Sequence, residues 1–122
     1  MKSFLLVFLG GGLGSALRYL VASAMNQYSK VLPFGTFTVN ILGCLLIGMI
    51  LGYAQRENTL TSNQTLLLAT GFCGGFTTFS AFANENLELI KNGEIFNFSV
   101  YTIGSILVGV LAVYIGFYLT NR

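Results

Sequence analysis

The chain has 122 residues, 54% of them hydrophobic and 8% charged, with six lysines and arginines against four acids and a formal charge of +2. A soluble domain carries about 25% charged residues; a water-facing globule and a disordered chain are therefore both excluded, and the composition is that of a membrane protein. The absence of a basic run argues against nucleic acid, the scattered glycines lack the three-residue period of collagen, and the absence of histidine removes the usual near-neutral proton switch and the commonest metal ligand.

Four segments reach the roughly 20 apolar residues that a spanning helix needs: 3–25, 33–54, 65–90 and 96–119. They predict an all-α membrane protein, a single four-helix transmembrane domain over residues 1–122. The linkers are short and polar, which makes each helix antiparallel to the next. The first segment is too long for a cleavable signal peptide, contains Arg18, and is followed by no small-residue cleavage site.

In the first span, Gly10-Gly-Gly-Leu-Gly14 follows no strand and lacks a Walker lysine, so it is no phosphate loop. Arg18 lies about two thirds of the way along. Charge at membrane depth costs about 2.5–3.5 kcal/mol on insertion scales, so Arg18 either snorkels as an anchor or sets a positive potential at the mouth of an anion path. In the second span, Thr36 lies one helical turn before Asn40 on the same face. An amide in hydrocarbon needs a partner, either a neighbouring helix or a passing solute.

The third span is the least ordinary. Gly71-Phe-Cys-Gly-Gly-Phe-Thr-Thr78 places three glycines and two threonines near its middle. Interior glycine costs about 1 kcal/mol relative to alanine, so the cluster predicts a break at the helix centre. Irregular backbone is tolerated there when buried in protein or lining a polar cavity. Thr77, Thr78 and Ser80 supply hydroxyls around the break. They either back-bond to carbonyls or, with the carbonyls freed there, bind a cation. Phe72, Phe76 and Phe79 fall on one helical face, which is usually lipid-facing or core. Phe79 and Phe82 interleave with Thr78 and Ser80, and ring edges carry partial positive charge. Such edges beside hydroxyl and amide donors can replace water around a small anion without adding net charge. Glu85 lies in the last turns of this span. In the fourth span, Tyr101 and Ser105 form one polar stripe.

Cys44 and Cys73 read as small buried hydrophobes. No nucleophile with a base, paired carboxylates at depth or metal-ligand cluster marks an enzyme. Lys2, Arg56 and Arg122 fall on one side of the membrane, and Lys30, Lys91 and the nearer Arg18 on the other. That gives almost no orientation preference: either a single lysine decides, or the chain inserts both ways and pairs with an inverted copy. Gly10 and Gly14, Gly48 and Gly52, and Gly71 and Gly75 recur at the four-residue spacing that lets helices approach closely, between subunits or within one.

Gly11-Gly-Leu-Gly-Ser-Ala-Leu-Arg-Tyr19, Pro33-Phe-Gly-Thr-Phe-Thr-Val-Asn-Ile-Leu-Gly43 and Gly71-Phe-Cys-Gly-Gly-Phe-Thr-Thr-Phe-Ser-Ala-Phe82 together resemble the Fluc, or CrcB-type, fluoride channels. The resemblance implies an antiparallel, dual-topology homodimer in the bacterial plasma membrane. The same resemblance implies two fluoride pathways, one structural Na+ at the dimer centre, and fluoride leaving the cytoplasm down its gradient. By motif position, Gly74 and Thr77 would supply backbone carbonyls to the Na+. Phe79, Phe82, Asn40 and Ser80 would line the pore with Thr36 and Glu85. Tyr101 and Ser105 would form a polar track, and Arg18 matches the first-helix arginine. Ala81 stands where the family usually has threonine, and Gly109 where some members continue the track with serine. The alternative is a small dual-topology proton-coupled multidrug exporter, which would need an acid in the first span where this chain has Arg18. A non-transporting structural subunit is argued against by so many buried hydroxyls in register.

Overall fold

A computed structural model describes residues 1–56 and 59–122 of the chain. Every regular element in it is helical: α1 (Lys2–Asn26), α2 (Phe34–Gln55), α3 (Ser62–Thr65), a wide-turned π-helical stretch (Leu66–Cys73), α4 (Gly74–Phe76), α5 (Phe79–Lys91) and α6 (Ile95–Asn121). Four assemblies of these are long and apolar enough to cross a membrane: α1, α2, the composite third span Ser62–Lys91, and α6. Much of the outer surface is apolar, with Phe4, Phe8, Leu13, Ile103, Leu107 and Val110 all more than half exposed. That surface suits lipid and not water.

Local chemistry explains the element ends. The Asn26 side-chain carbonyl accepts the Gly35 N–H at 2.9 Å, fastening the end of α1 to the first turn of α2. Ser29 Oγ accepts the N–H groups of Val31 and Leu32 in the connecting turn. Thr61 and Gln64 cap each other's backbone at the start of the third span. α5 ends at Lys91, and the chain then turns at Gly93, whose φ of 75° L side chains rarely adopt. The Glu94 and Gly93 N–H groups close back on the carbonyls of Leu89 and Ile90, and this turn sends α6 back alongside α5.

Two helix pairs organise the packing. The first half of the third span lies on α1, and α6 lies on α2. In both seams one backbone touches another. A Cβ at Gly14 would run into the Phe72 carbonyl, and one at Gly116 into the Leu45 carbonyl. The small-residue pairs of the sequence are thus accounted for inside one subunit: Gly10 and Gly14 meet 67–76, Gly71 and Gly75 meet α1, and Gly48 and Gly52 meet α6. They therefore carry no argument for oligomerisation. Val39, Ala69, Cys73, Phe76, Leu89, Tyr101 and Ala112 form the buried apolar set.

Candidate functional site

The polar residues singled out in the sequence collect around one irregularity. α4 stops at Phe76. Thr77 (φ −89°, ψ 159°) and Thr78 (φ −148°, ψ 122°) are extended, and α5 starts afresh at Phe79. A helix that stops inside a membrane strands its last carbonyls, and one that starts there strands its first N–H groups. Side chains from three spans meet these groups. The Asn40 amide does both halves of the work. Its Nδ2 donates to the Thr78 carbonyl at 3.1 Å, and its Oδ1 accepts the Thr78 N–H at 2.8 Å. Only an amide side chain offers a donor and an acceptor in that geometry.

Arg18 supplies the next contact. Its Nε donates to the Gly75 carbonyl at 2.9 Å, and Ser15 Oγ approaches the same oxygen at 3.4 Å. A guanidinium here neutralises the negative end of the helical run that stops at Phe76, so Arg18 anchors the interruption itself. Thr77 Oγ1 back-bonds to the Cys73 carbonyl at 2.9 Å, the ordinary fate of a helical threonine. The Thr78 hydroxyl caps α5 by accepting the Ala81 N–H at 3.2 Å, and lies 3.3 Å from Ser80 Oγ. With the Thr78 N–H bonded to Asn40, the Gly74 carbonyl loses its helical donor, and a Cβ at Gly74 would meet nothing within 4 Å.

One turn into α5 the side chains change character. Glu85 receives two hydroxyls: Thr36 donates to Oε2 at 2.6 Å and Tyr101 to Oε1 at 2.8 Å. Thr36 is 4% exposed and Tyr101 5%, so both donors are dry and their bonds to a carboxylate are of the charge-assisted kind. The Phe82 ring lies 5.1 Å from the Tyr101 ring and 5.9 Å from that of Phe79. Phe79 is 79% exposed on this chain. The interruption takes Phe79 off the face it was expected to share with Phe72 and Phe76. Those two rings stack on each other at 5.8 Å, on the other side of the break.

Two cavities flank this α5 surface. One, of about 480 Å³, is lined by Asn40, Gly74, Thr77, Thr78, Phe79, Phe82 and Ser105. Ser105 Oγ is buried without a hydrogen-bond partner among the described residues. The other, of about 300 Å³, is lined by Asn26, Lys30, Glu85, Glu88 and Asn92. Phe82 and Glu85, one turn apart on α5, thus open onto different cavities. The structure brings Asn40, Thr77, Phe79, Ser80 and Ser105 around the break and gathers Thr36, Glu85, Tyr101 and Phe82 just beyond it. Arg18 approaches from the α1 side. Sequence reasoning missed Ser15, which joins Arg18 on the Gly75 carbonyl. It also missed Asn86, 8% exposed, whose side-chain oxygen accepts from Thr102 Oγ1 at 3.2 Å. No sequence pattern set Asn86 apart from the other polar residues of α5, since its partner lies 16 residues away on α6.

Comparison with known proteins is extensive. Residues 5–117 match the family described as "CrcB-like protein, Camphor Resistance (CrcB)". A protein of Phocaeicola vulgatus named fluoride-specific ion channel FluC is 49% identical over 122 residues, covering 99% of this chain and 100% of the relative. Proteins of the same name from Gloeothece citriformis and Flavobacterium psychrophilum are 47% and 44% identical. They cover 100% and 95% of this chain, and 99% and 94% of their own lengths.

Proposed function

This chain belongs to the CrcB-like family, and from that membership we infer that it is a fluoride channel, a multi-pass protein of the bacterial plasma membrane. The observation that carries the inference is near-full-length identity of 44–49% to bacterial proteins named for fluoride specificity. Those names do not favour the drug-exporter alternative. Purified protein in liposomes should release fluoride and leave chloride trapped. Equal release of both halides, or of neither, would overturn the function.

The pathway we propose follows α5. Fluoride enters the cavity beside the break, passes Asn40, Ser80 and the edges of Phe79 and Phe82, and reaches the Thr36–Glu85–Tyr101 cluster below the second cavity. The physics supports this route. Fluoride is small and holds water tightly, so a path must offer replacement contacts. A fixed full positive charge would hold it too strongly to conduct. Neutral donors and ring edges give several weaker contacts in sequence. Ser105 Oγ, without a partner among the described residues and on a residue that lines the first cavity, is available to such an ion. Two hydroxyls hold Glu85, and a hydroxyl that turns from carboxylate to fluoride exchanges one charge-assisted bond for another.

We further propose that the working unit is an antiparallel homodimer. The break, with Gly74, Phe79 and Ser80 exposed, lies on an open face of this chain at membrane depth, and lipid cannot satisfy its backbone groups. A second inverted copy covers it, in keeping with the balanced lysines and arginines. The carbonyls of Gly74 and Thr77 suit a hard cation such as Na+: both are oxygen donors, and the Gly74 carbonyl has lost its helical N–H to the Asn40 contact. A cation there supplies positive charge at the end of a helical run and ties two copies together. Replacing sodium by a large organic cation should lower dimer stability and flux. Unchanged stability and flux after exhaustive sodium removal would overturn the cation's role.

A further inference from the structure

Asn86 and Thr102 belong to none of the roles above, yet they are placed beside the most polar cluster in the molecule. α5 and α6 share two side-chain bonds between consecutive residues. Tyr101 donates to Glu85 at 2.8 Å, and Thr102 donates to Asn86 at 3.2 Å. The three residues 92–94 join the two helices, which therefore run antiparallel. Stepping from the first bond to the second moves one residue down one helix and one residue up the other. The two bonds thus differ in axial offset by about 3 Å, and no slide of α5 along α6 preserves both. Beyond these bonds the two helices share the Phe82–Tyr101 ring contact at 5.1 Å and the turn closed at Gly93. Of the apolar side chains on α5 only Leu89 is buried, while Leu87 and Ile90 are about half exposed. Asn86 is 8% exposed, too dry for water to replace the lost partner cheaply.

We propose that the Asn86–Thr102 hydrogen bond is a positioning device for fluoride transport: it fixes the register of α5 on α6, and so holds Glu85 and the Phe82 ring against Tyr101. Asn86 and Thr102 act through Glu85 and Tyr101 and touch no ion. The proposal rests on the reading that Glu85 and Tyr101 line the pathway.

The test uses the full chain in liposomes, with fluoride release measured per unit of assembled protein. Thr102→Val keeps the shape and removes the hydroxyl; Thr102→Ser keeps the hydroxyl and removes a methyl. Loss of this bond should lower flux about tenfold in Thr102→Val, and Thr102→Ser should restore it. Added to Glu85→Gln, Thr102→Val should bring little further loss, because both act at one point. Near-normal flux in Thr102→Val, equal loss in Val and Ser variants, or full multiplication of the Thr102→Val and Glu85→Gln losses would each overturn the proposal. Glu85→Gln and Tyr101→Phe separate it from the reading beneath it. Loss in both with normal flux in Thr102→Val overturns the positioning role alone, whereas normal flux in both overturns the pathway reading and the proposal with it.

Discussion

The two halves of the third span are held by opposite means. Residues 62–76 lie against α1 through glycines, backbone on backbone, with Phe76 2% exposed and Phe72 stacked beside it. α5 is held by side-chain polar bonds: Asn40 at its entrance, Thr36 and Tyr101 on Glu85, Thr102 on Asn86. Close packing of small residues drives helix association in lipid, where no hydrophobic effect does so. A half-helix held by hydrogen bonds instead keeps polar atoms in a row that an ion can follow. The contrast teaches that the glycines fix the fold, while the hydroxyls, amide and carboxylate are the groups to which we assign the transport chemistry.

The largest expected effect lies on the glycine side. In Gly75→Val the new side chain would meet the Gly11 backbone. Overpacking of this kind should cost about 3 kcal/mol or more, seen as loss of monodisperse protein on size exclusion. Next comes the junction of the halves. Asn40→Leu removes both bonds to Thr78 and should cost about 2–3 kcal/mol of stability, and fluoride flux should fall further than the lost folded protein explains. Asn40→Asp sets a carboxylate against the Thr78 carbonyl and on the proposed anion path, and should lose at least as much flux as Asn40→Leu. Full flux in Asn40→Leu would dissolve the distinction between the halves.

That the chain builds four long apolar helices was legible from hydropathy, because four runs of about twenty apolar residues with so few charges leave no water-facing surface. The interruption was legible only in part. The glycine cluster drew attention to 71–75, yet Gly71 and Gly75 serve the contact with α1, and the extended residues are Thr77 and Thr78. Glycine's two uses, close approach and backbone freedom, look the same in a sequence. Asn40 and Thr36 were legible as amide and hydroxyl in hydrocarbon, but not their partners, since Thr78 is 38 residues from Asn40 and Glu85 is 49 from Thr36. Arg18 left two readings open in sequence, and its bond to the Gly75 carbonyl gives it an anchoring contact. Asn86 was missed because one amide among the polar residues of α5 has no distinguishing pattern without its partner on α6.

A smaller effect sharpens the α5 side. Tyr101→Phe removes one hydroxyl from Glu85 and keeps the ring against Phe82. Flux should drop about tenfold with little change in unfolding temperature. The smallest effect belongs to Thr77. Its hydroxyl back-bonds to Cys73, and its proposed cation contact is a backbone carbonyl. Thr77→Val should therefore leave flux within about twofold of wild type. A severe loss there would move the side chain itself into the cation's shell.

The most direct test sets two phenylalanines against each other, Phe76 in the glycine-packed half and Phe79 in the polar one. Phe76→Leu and Phe79→Leu are each measured for unfolding temperature in detergent and for fluoride release per folded protein in liposomes. The account predicts that Phe76→Leu lowers the unfolding temperature and leaves release per folded protein near wild type. Phe79→Leu, 79% exposed on its own chain, should keep the unfolding temperature and lose most of the release. Loss of both quantities together in both variants, or near-normal release from a stable Phe79→Leu, would contradict the division of the third span into a half that packs and a half that conducts.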